Sequence, residues 1–423
     1  MNASHKLGLA VIAALSLAAC GQKEEVKPAP KAAVAPAEPG VTVKIAHAGP
    51  LTGNIAHLGK DDENGVRLAI DQANAKKIKI DGKLVTFEMK SEDDQADPKA
   101  GTTVAQKLVD EKVAAVIGHL NSGVSIPASE IYAKAGIPMI SGSATNPALT
   151  ERGLKNVFRT VGRDDQQGPA IATYVANELK AKKVALIDDK TSYGEGLANE
   201  VEKTLKGAKV NIVGRERTTD KETDFKAILT KVKARNPDVI FYGGMDATGG
   251  PLIKQARELG IKAAFAFGDG ACTNEMSKLA GAAAEGLVCS QAGLPSEAAS
   301  REFLDAFKAK YGEVKQYAPY FYDGTLAVIE AMKKANSVDP AKFSPEIFNV
   351  SFVGATGKVE FDAKGDRKDA EITIFRLKDG KVVPIAIVKN GVSTPFGAPV
   401  AAPAAAAAPA AAAPAKPAEG PKK

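Results

Sequence analysis

Short apolar runs alternate with amphipathic segments along most of this chain, and this alternation restricts the fold more than any other feature. The first series contains four predicted strands and three predicted helices: strands at 43–48, 85–89, 113–118 and 138–141, and helices at 65–73, 98–109 and 126–135. A second series repeats the pattern: strands at 184–187, 210–213, 239–242 and 264–267, and helices at 194–205, 225–234 and 250–259. Such alternation predicts parallel sheets that are covered on both faces, and two series predict two α/β lobes.

The rest of the chain is predicted to add further elements to the two lobes that the earlier series form. It contains two predicted helices and three predicted strands: helices at 300–311 and 320–335, and strands at 358–362, 372–377 and 382–388. Asp379-Gly380 predicts a hairpin between the last two strands. Because late strands must join sheets formed earlier, we predict an α/β fold of two doubly wound parallel-sheet lobes joined by a multi-crossing hinge. Lobe 1 is predicted at 41–163 plus 293–370, and lobe 2 at 164–292 plus 371–396.

Both ends of the chain differ in composition from the lobes. Residues 1–20 combine a basic start with an apolar run, 7–19, that is too short to span a bilayer, which is typical of a secretion signal. Pro, Ala, Lys and Glu dominate residues 21–40, which we interpret as a flexible tether. Residues 397–423 are mostly Ala and Pro, and the frequent Pro predicts a disordered tail.

The signal ends in Leu17-Ala-Ala-Cys20, which resembles a bacterial lipobox. In such signals the Cys is lipidated through its thiol and becomes the first residue of the mature protein. The resemblance implies a periplasmic protein anchored to the membrane by a lipid on Cys20, whereas the alternative is an ordinary leader cut near Ala18 or Ala19. Gly21 after the Cys resembles an outer-membrane address of Gram-negative lipoproteins.

Cysteine use points to one disulfide. The chain has three Cys, and if Cys20 carries the lipid, Cys272 and Cys289 remain. An even remainder in an oxidising compartment predicts a disulfide between them, with two unpaired buried thiols as the alternative.

Charge and motifs argue against several functional classes. The formal net charge is +6, and Lys is spread beside nearly as many acids, so nothing indicates nucleic-acid binding. No run after the leader approaches twenty apolar residues, so no transmembrane helix is expected. The sequence has no HExxH motif, P-loop or GxSxG elbow, and only four His. We therefore expect no enzyme, no metal site and no cofactor, and we interpret His119 as a packing residue.

Polar groups follow several predicted strands, at the edge where open parallel sheets bind ligands. Ser122 and Thr145 lie in loops that follow two strands of the first series, where the next helices begin. Free N–H groups attract anions there, so both are candidate carboxylate ligands, although both could be ordinary N-caps. Asp269, flanked by glycines after the strand at 264–267, is placed to meet a cation, unless it is only a turn residue. Together these groups suit a zwitterion such as an α-amino acid.

Several stretches resemble the Leu/Ile/Val-binding proteins, the type I periplasmic binding proteins of branched-chain amino acid ABC importers. The similarity extends from about residue 41 to 388, and its order and spacing are specific although no single motif is. The matching stretches are Gly49-Pro-Leu-Thr-Gly53, Ile117-Gly-His-Leu-Asn-Ser122, Pro127-Ala-Ser-Glu-Ile-Tyr132, Asp164-Asp-Gln-Gln-Gly-Pro169, Asp189-Lys-Thr-Ser-Tyr-Gly-Glu-Gly-Leu-Ala198 and Phe241-Tyr-Gly-Gly244.

The resemblance implies a role for each residue of a ligand site. Ser122 and Thr145 match the residues that hold the ligand carboxylate. The carbonyl that takes the ammonium falls at Ser143, with Ala144 in the same binding loop. The acidic partner of the ammonium, Glu in the best-known member, falls on Asp269.

The implied pocket wall departs from the family pattern. Tyr193 matches an aromatic residue that covers the site from the second lobe. Leu58 and Met245 occupy positions that are often aromatic, and Tyr317 one that Phe usually fills. Asn121 replaces a Cys that forms a lobe 1 disulfide in the best-known member, so that disulfide is not expected here.

The resemblance implies an extracytoplasmic binding protein that closes its lobes around an aliphatic, branched-chain α-amino acid and delivers it to the permease of an ABC importer. We expect a monomer that binds no nucleic acid. Two alternatives stay open: a ligand sensor of the same fold that signals through a membrane partner, and a binding protein for another small amino acid or amide.

Overall fold

Two β-sheets contain most of the strands of the structure, a computed structural model that describes residues 40–389 and 391–397. The predictions about the secretion signal, the lipid on Cys20, nearly all of the tether and residues 398–423 lie outside this part of the chain.

The sheet of lobe 1 follows the first predicted series. Its six strands are β1 Gly40–Gly49, β2 Lys79–Ile80, β3 Lys83–Asp93, β4 Ala115–Gly118, β5 Met139–Ser141 and β6 Val157–Arg159. Their order is β2-β3-β1-β4-β5-β6, and every neighbouring pair is parallel except β2 with β3. The connecting helices are α1 Ala56–Ala75, α2 Pro98–Asp110 and α3 Ser122–Lys134. All residues of β4 are buried, as expected for a strand covered on both faces.

The sheet of lobe 2 has eight strands: β7 Lys183–Asp188, β8 Asn211–Arg217, β9 Val239–Gly243, β10 Ala264–Phe267, β11 Val288–Gln291, β14 Ile372–Lys378, β15 Lys381–Lys389 and β16 Val392–Pro395. The helices of this series are α4 Asp164–Asn177, α5 Ser192–Gly207, α6 Lys226–Arg235, α7 Asp246–Glu258 and α8 Glu275–Ala280. The order is β16-β15-β14-β11-β10-β9-β7-β8. The first five strands in the chain pair in parallel, whereas β14, β15 and β16 are antiparallel additions at one edge.

The predicted hairpin at Asp379-Gly380 is confirmed. Both residues have positive φ, 51° and 76°, as a two-residue hairpin turn requires, and they join β14 to β15.

The prediction that the strand at 358–362 joins a main sheet is wrong. The strand there, β13 Gly357–Val359, pairs with the adjacent β12 Phe352–Gly354 in a separate two-stranded sheet. The reason is a tertiary contact: Ala355 and Thr356 form a tight turn between the two strands, and their backbone N–H groups donate to the buried carboxylate of Asp323, which lies in the helix Ala318–Ala335.

The last helices of the chain complete lobe 1. They are α9 Arg301–Tyr311, α10 Ala318–Ala335 and the short α11 Pro340–Phe343. Helix α10 packs against α1 and against β4 and β5, so residues far apart in sequence cover one face of the first sheet.

Three segments cross between the lobes, after β6, after β11 and after β13. They lie side by side, because Gly162 donates its N–H to the carbonyl of Ala292 at 2.8 Å and Thr373 donates its hydroxyl to the carbonyl of Gly293 at 2.7 Å. A buried apolar cluster also continues from lobe 1 into lobe 2 and includes Leu58, Tyr193 and Met245. Within the described residues, no helix is both long and apolar enough to cross a bilayer.

Candidate functional site

The loops that follow β4 and β5 are tied to each other in lobe 1. Ser141 donates its hydroxyl to the carbonyl of His119 at 2.7 Å, and Ser143 donates to the carbonyl of Leu120 at 2.9 Å. The N–H of Ala144 donates to the Ser141 hydroxyl at 2.9 Å. These bonds fix the carbonyl-bearing loop of Ser143 and Ala144 beside the start of α3.

Ser122 and Thr145 are the residues that the sequence predicts to bind a ligand carboxylate. Neither is the N-cap of a helix, since those positions belong to Asn121 and Asn146. Ser122 is the first residue of α3, and its Oγ accepts the N–H of Asn146 at 3.2 Å. The buried Oγ1 of Thr145 and Oδ1 of Asn121 make no hydrogen bond of normal geometry to any described residue. Because buried polar atoms are normally paired, these free atoms suit a ligand.

Helix α3 begins four residues earlier than the sequence predicts, at Ser122 rather than at Ile126. Its first turn contains small polar residues that carry no apolar spacing, so periodicity alone missed it. The earlier start places the free N–H groups of the helix at the loop that contains Asn121.

Asp269 is the polar centre of the lobe 2 side, in a short 3₁₀ helix, Asp269–Ala271, directly after β10. The side chain is buried, and the hydroxyls of Tyr193 and Tyr317 donate to its two oxygens at 2.7 and 2.8 Å. Tyr317 belongs to lobe 1, so this contact joins the lobes. Burial raises the pKa of Asp269, although the hydrogen bonds from Tyr193 and Tyr317 oppose that shift.

Asp164, the first residue of α4, is a site candidate to which our sequence analysis assigns no role. Its carboxylate is fully buried, and neither oxygen makes a hydrogen bond of normal geometry within residues 40–389 and 391–397. Burial and then the charge of Asp269 raise its pKa well above the usual range, against a smaller opposing effect of the Thr145 hydroxyl. Its N–H donates to the carbonyl of Thr145 at 3.0 Å. An Asp in a first helical turn is common, so only its burial distinguishes it.

The two carboxylates therefore lie close enough to repel each other, and neither forms an ion pair in the described part of the chain. A buried carboxylate without a cation is costly unless it is protonated or receives one. Asp164 and Asp269 can bind a small cation, while Thr145 and Ser122 offer hydroxyls on the lobe 1 side.

A cavity of about 420 Å³ opens between the lobes, and Asp164, Asp269, Ser122 and Thr145 are not among the residues that line it. Its lining includes the predicted residues Asn121, Tyr193 and Met245. Asp189 also lines it, and burial raises the pKa of Asp189 to about 6. Leu58, in contrast, is fully buried in the apolar cluster that joins the lobes.

His119 is buried inside lobe 1 and makes two contacts with other buried side chains. Its Nδ1 lies 2.7 Å from the Asp94 carboxylate and its Nε2 lies 3.1 Å from the Tyr132 hydroxyl, all three side chains being buried. The described residues contain no cluster of side chains suited to hold a metal ion.

Cys272 and Cys289 form a disulfide in the structure, with an S–S distance of 2.04 Å. Cys272 follows the 3₁₀ helix of Asp269 and Cys289 lies on β11, so the bond connects the Asp269 loop to the sheet.

Comparisons with known proteins agree with this architecture. A family model described as a periplasmic binding protein matches residues 42–381. The Leu/Ile/Val-binding protein homolog 1 of Brucella abortus (strain 2308) is 40% identical over 290 residues, which cover 68% of this chain and 78% of that protein. The leucine-binding protein LivK of Thermotoga maritima superimposes with a TM-score of 0.77 at 29% identity, covering 82% of this chain and 99% of that one. LivJ of Streptococcus pneumoniae, solved with isoleucine, superimposes with a TM-score of 0.73 at 31% identity, covering 82% of this chain and 100% of that one.

Proposed function

The chain belongs to the periplasmic binding protein family, and we propose that it captures an aliphatic, branched-chain α-amino acid between its lobes and delivers it to an ABC importer. The observation that carries this proposal is the pair of buried carboxylates, Asp164 and Asp269, beside unpaired hydrogen-bonding atoms of the opposite lobe. The names of the relatives support the same ligand class, and one structural neighbour is a complex with isoleucine.

In the proposed complex the ligand carboxylate binds the hydroxyls of Ser122 and Thr145 at the start of α3. The ammonium lies against Asp269, Asp164 and the carbonyl of Ser143. The ammonium brings one positive charge to this pair of carboxylates, which lack an ion pair within residues 40–389 and 391–397.

The ligand side chain occupies the remaining space between the lobes. Tyr193, Met245 and Asn121 line the cavity, and Leu58 and Tyr317 belong to the buried apolar cluster that includes Tyr193 and Met245. Apolar residues such as Ile55 and Val124 share this wall with polar and charged residues, and the apolar part can accept an aliphatic ligand side chain.

Hinge closure provides the proposed binding mechanism. Lobe 1 binds the carboxylate first, and lobe 2 then brings Tyr193 and Asp269 over the ammonium. The three adjacent crossing segments support a movement of this kind. Small-angle scattering should give a smaller radius of gyration with saturating ligand, and an unchanged radius would contradict closure.

The protein acts in the periplasm as a monomer in this proposal, anchored by a lipid on Cys20, and passes its ligand to the permease subunits of the importer. Metabolic labelling with a palmitate analogue tests the anchor: wild-type protein should be labelled and the Cys20→Ala variant should not.

A thermal-shift screen tests the ligand. The protein is unfolded and refolded to remove ligand from the host, then heated with each standard amino acid and with the 2-oxo acids of leucine, isoleucine and valine. An amino acid at about 100 times its Kd adds about 2.7 kcal/mol to the free energy of unfolding, which raises the melting temperature visibly. The 2-oxo acids lack the ammonium and should give no shift. Equal shifts from leucine and its 2-oxo acid would refute the proposed role of the two carboxylates.

A further inference from the structure

We propose that His57 and Asp61, one turn apart on α1, are positioning residues that dock lobe 2 onto lobe 1 in the ligand-holding arrangement. This inference rests on the proposed function, because docking matters only if the lobes close around a ligand. The two residues lie on one face of α1, as an i, i+4 pair does. His57 contacts lobe 2 directly, whereas Asp61 holds a segment of lobe 1 that contacts lobe 2.

His57 makes a direct contact between the lobes. Its Nε2 donates to the Asp246 carboxylate at 2.9 Å, with about a quarter of the His57 side chain exposed and Asp246 fully buried. Asp246 is the first residue of α7, and the hydroxyl of Thr273, also in lobe 2, donates to the same carboxylate oxygen at 2.6 Å. The other oxygen of Asp246 has no hydrogen-bond partner among the described residues. Among the described residues, Asp246 therefore forms its ion pair with His57.

Asp61 acts on lobe 2 through the segment that precedes α10. Its buried carboxylate accepts the backbone N–H groups of Lys315 at 2.8 Å and of Gln316 and Ala318 at 3.0 Å. The segment held in this way makes two bonds to Asp269, from the Gln316 amide to its carbonyl at 2.8 Å and from the Tyr317 hydroxyl to its carboxylate at 2.8 Å. Asp61 therefore determines where lobe 1 meets Asp269.

The His57 to Asp246 bond exists only while the lobes are together, so its free energy belongs to the closed state alone. An interaction that differs between two conformations shifts their populations by that difference. Ligand affinity includes the free energy of closure, and the pair therefore strengthens binding without touching the ligand.

The pair also gives binding a pH dependence. Burial lowers the pKa of His57, but the hydrogen bond and charge of Asp246, followed by the charges of Glu275 on α8 and Asp61 on α1, outweigh it and raise the pKa above 6.5. A raised pKa in the closed state means that closure takes up a proton. The added affinity is complete below the open-state pKa and is lost as the pH rises through the closed-state pKa.

A double-mutant cycle measured by calorimetry tests the inference. We expect His57→Gln and Asp246→Asn each to weaken the tightest amino acid about 5- to 30-fold at pH 6, and the double variant to be little worse than either one. Wild-type affinity should fall between pH 6 and pH 8.5, and both variants should lose that slope. Asp61→Asn should weaken binding and keep part of the slope, because Asp246 still pairs with His57 although the charge of Asp61 no longer raises the His57 pKa.

Lys310→Ala is the matched control, because Lys310 forms an ion pair with Asp71 at 2.8 Å and both side chains are exposed on lobe 1. It should change neither affinity nor slope. Additive losses in the cycle, or an unchanged slope in His57→Gln, would overturn the docking role. If wild-type protein binds no amino acid, the proposed function itself fails, so the two failures are distinguishable.

Discussion

Replacing Asp164 by Asn should change stability and ligand affinity in opposite directions. In the ligand-free protein, Asp164 is a buried carboxylate whose oxygens lack hydrogen bonds of normal geometry and which Asp269 repels. A buried unsatisfied group costs about 1–3 kcal/mol, and more if it is charged. Asn removes the charge but leaves an amide with the same few partners. We therefore expect Asp164→Asn to raise the free energy of unfolding by about 1–2 kcal/mol at pH 8.

The gain should depend on pH in a direction that the structure determines. The pKa of Asp164 in the folded protein is raised well above 3.8 by burial and by Asp269. Wild-type protein and the variant should therefore differ least well below pH 3.8, where the carboxyl is neutral in both folded and unfolded chains. The difference should grow as the pH rises from there and level off above the folded-state pKa.

The same substitution should weaken ligand binding, which is opposite in direction to its effect on stability. In the proposed complex the ammonium lies against Asp164, and truncating one member of a buried charge pair costs about 2–5 kcal/mol. That range corresponds to about a 30- to 5,000-fold increase in Kd. A residue with only a structural role would instead lose stability and keep its affinity.

The assay combines urea unfolding of refolded, ligand-free protein at pH 4 and pH 8 with calorimetric titration at pH 8. Asp165→Asn is the matched control, because Asp165 is the exposed neighbour of Asp164 and pairs with Arg163 at the surface. It should change stability and binding free energy by less than about 0.5 kcal/mol each. An Asp164→Asn variant that is less stable than wild type at pH 8, or that binds equally well, would refute the reasoning.

Three further predictions concern lobe 2. Asp269→Ala should weaken amino acid binding by about 2–5 kcal/mol, and calorimetry with 2-oxo acids should show no compensating gain for ligands without an ammonium. Asp189→Asn should stabilise the protein by roughly 2–3 kcal/mol above pH 6 and by nothing below pH 3.8, since burial raises the pKa of Asp189 to about 6; denaturation at pH 3.5 and pH 7.5 checks this. Replacing Cys272 and Cys289 by Ala should cost about 3 kcal/mol, and two thiols labelled in denatured, unreduced protein that lacks Cys20 would contradict the bond.

Sequence periodicity predicted the lobes because the central strands of the two series, such as β4 and β9, are apolar runs whose residues are all buried. The clearest example is β4, a short apolar run in which every residue is buried. The pairing of strands was harder to predict, because nothing in residues 358–362 distinguishes a strand that joins a large sheet from one that pairs with its neighbour. The tight turn and the Asp323 contacts settled the pairing in favour of the neighbour, and those contacts depend on the tertiary fold.

The site shows the same division between local and tertiary information. Asp269 could be nominated from its glycines and its place after a strand, whereas Asp164 resembles any acid in a first helical turn. What separates it is that the start of α4 is buried against Thr145 and faces Asp269. Tyr317 likewise matched an apolar wall position, yet its hydroxyl donates to Asp269 from the other lobe. In both residues the polar role exists only after the lobes meet, so a sequence can name the binding loops while the charge balance between them must be obtained from the fold.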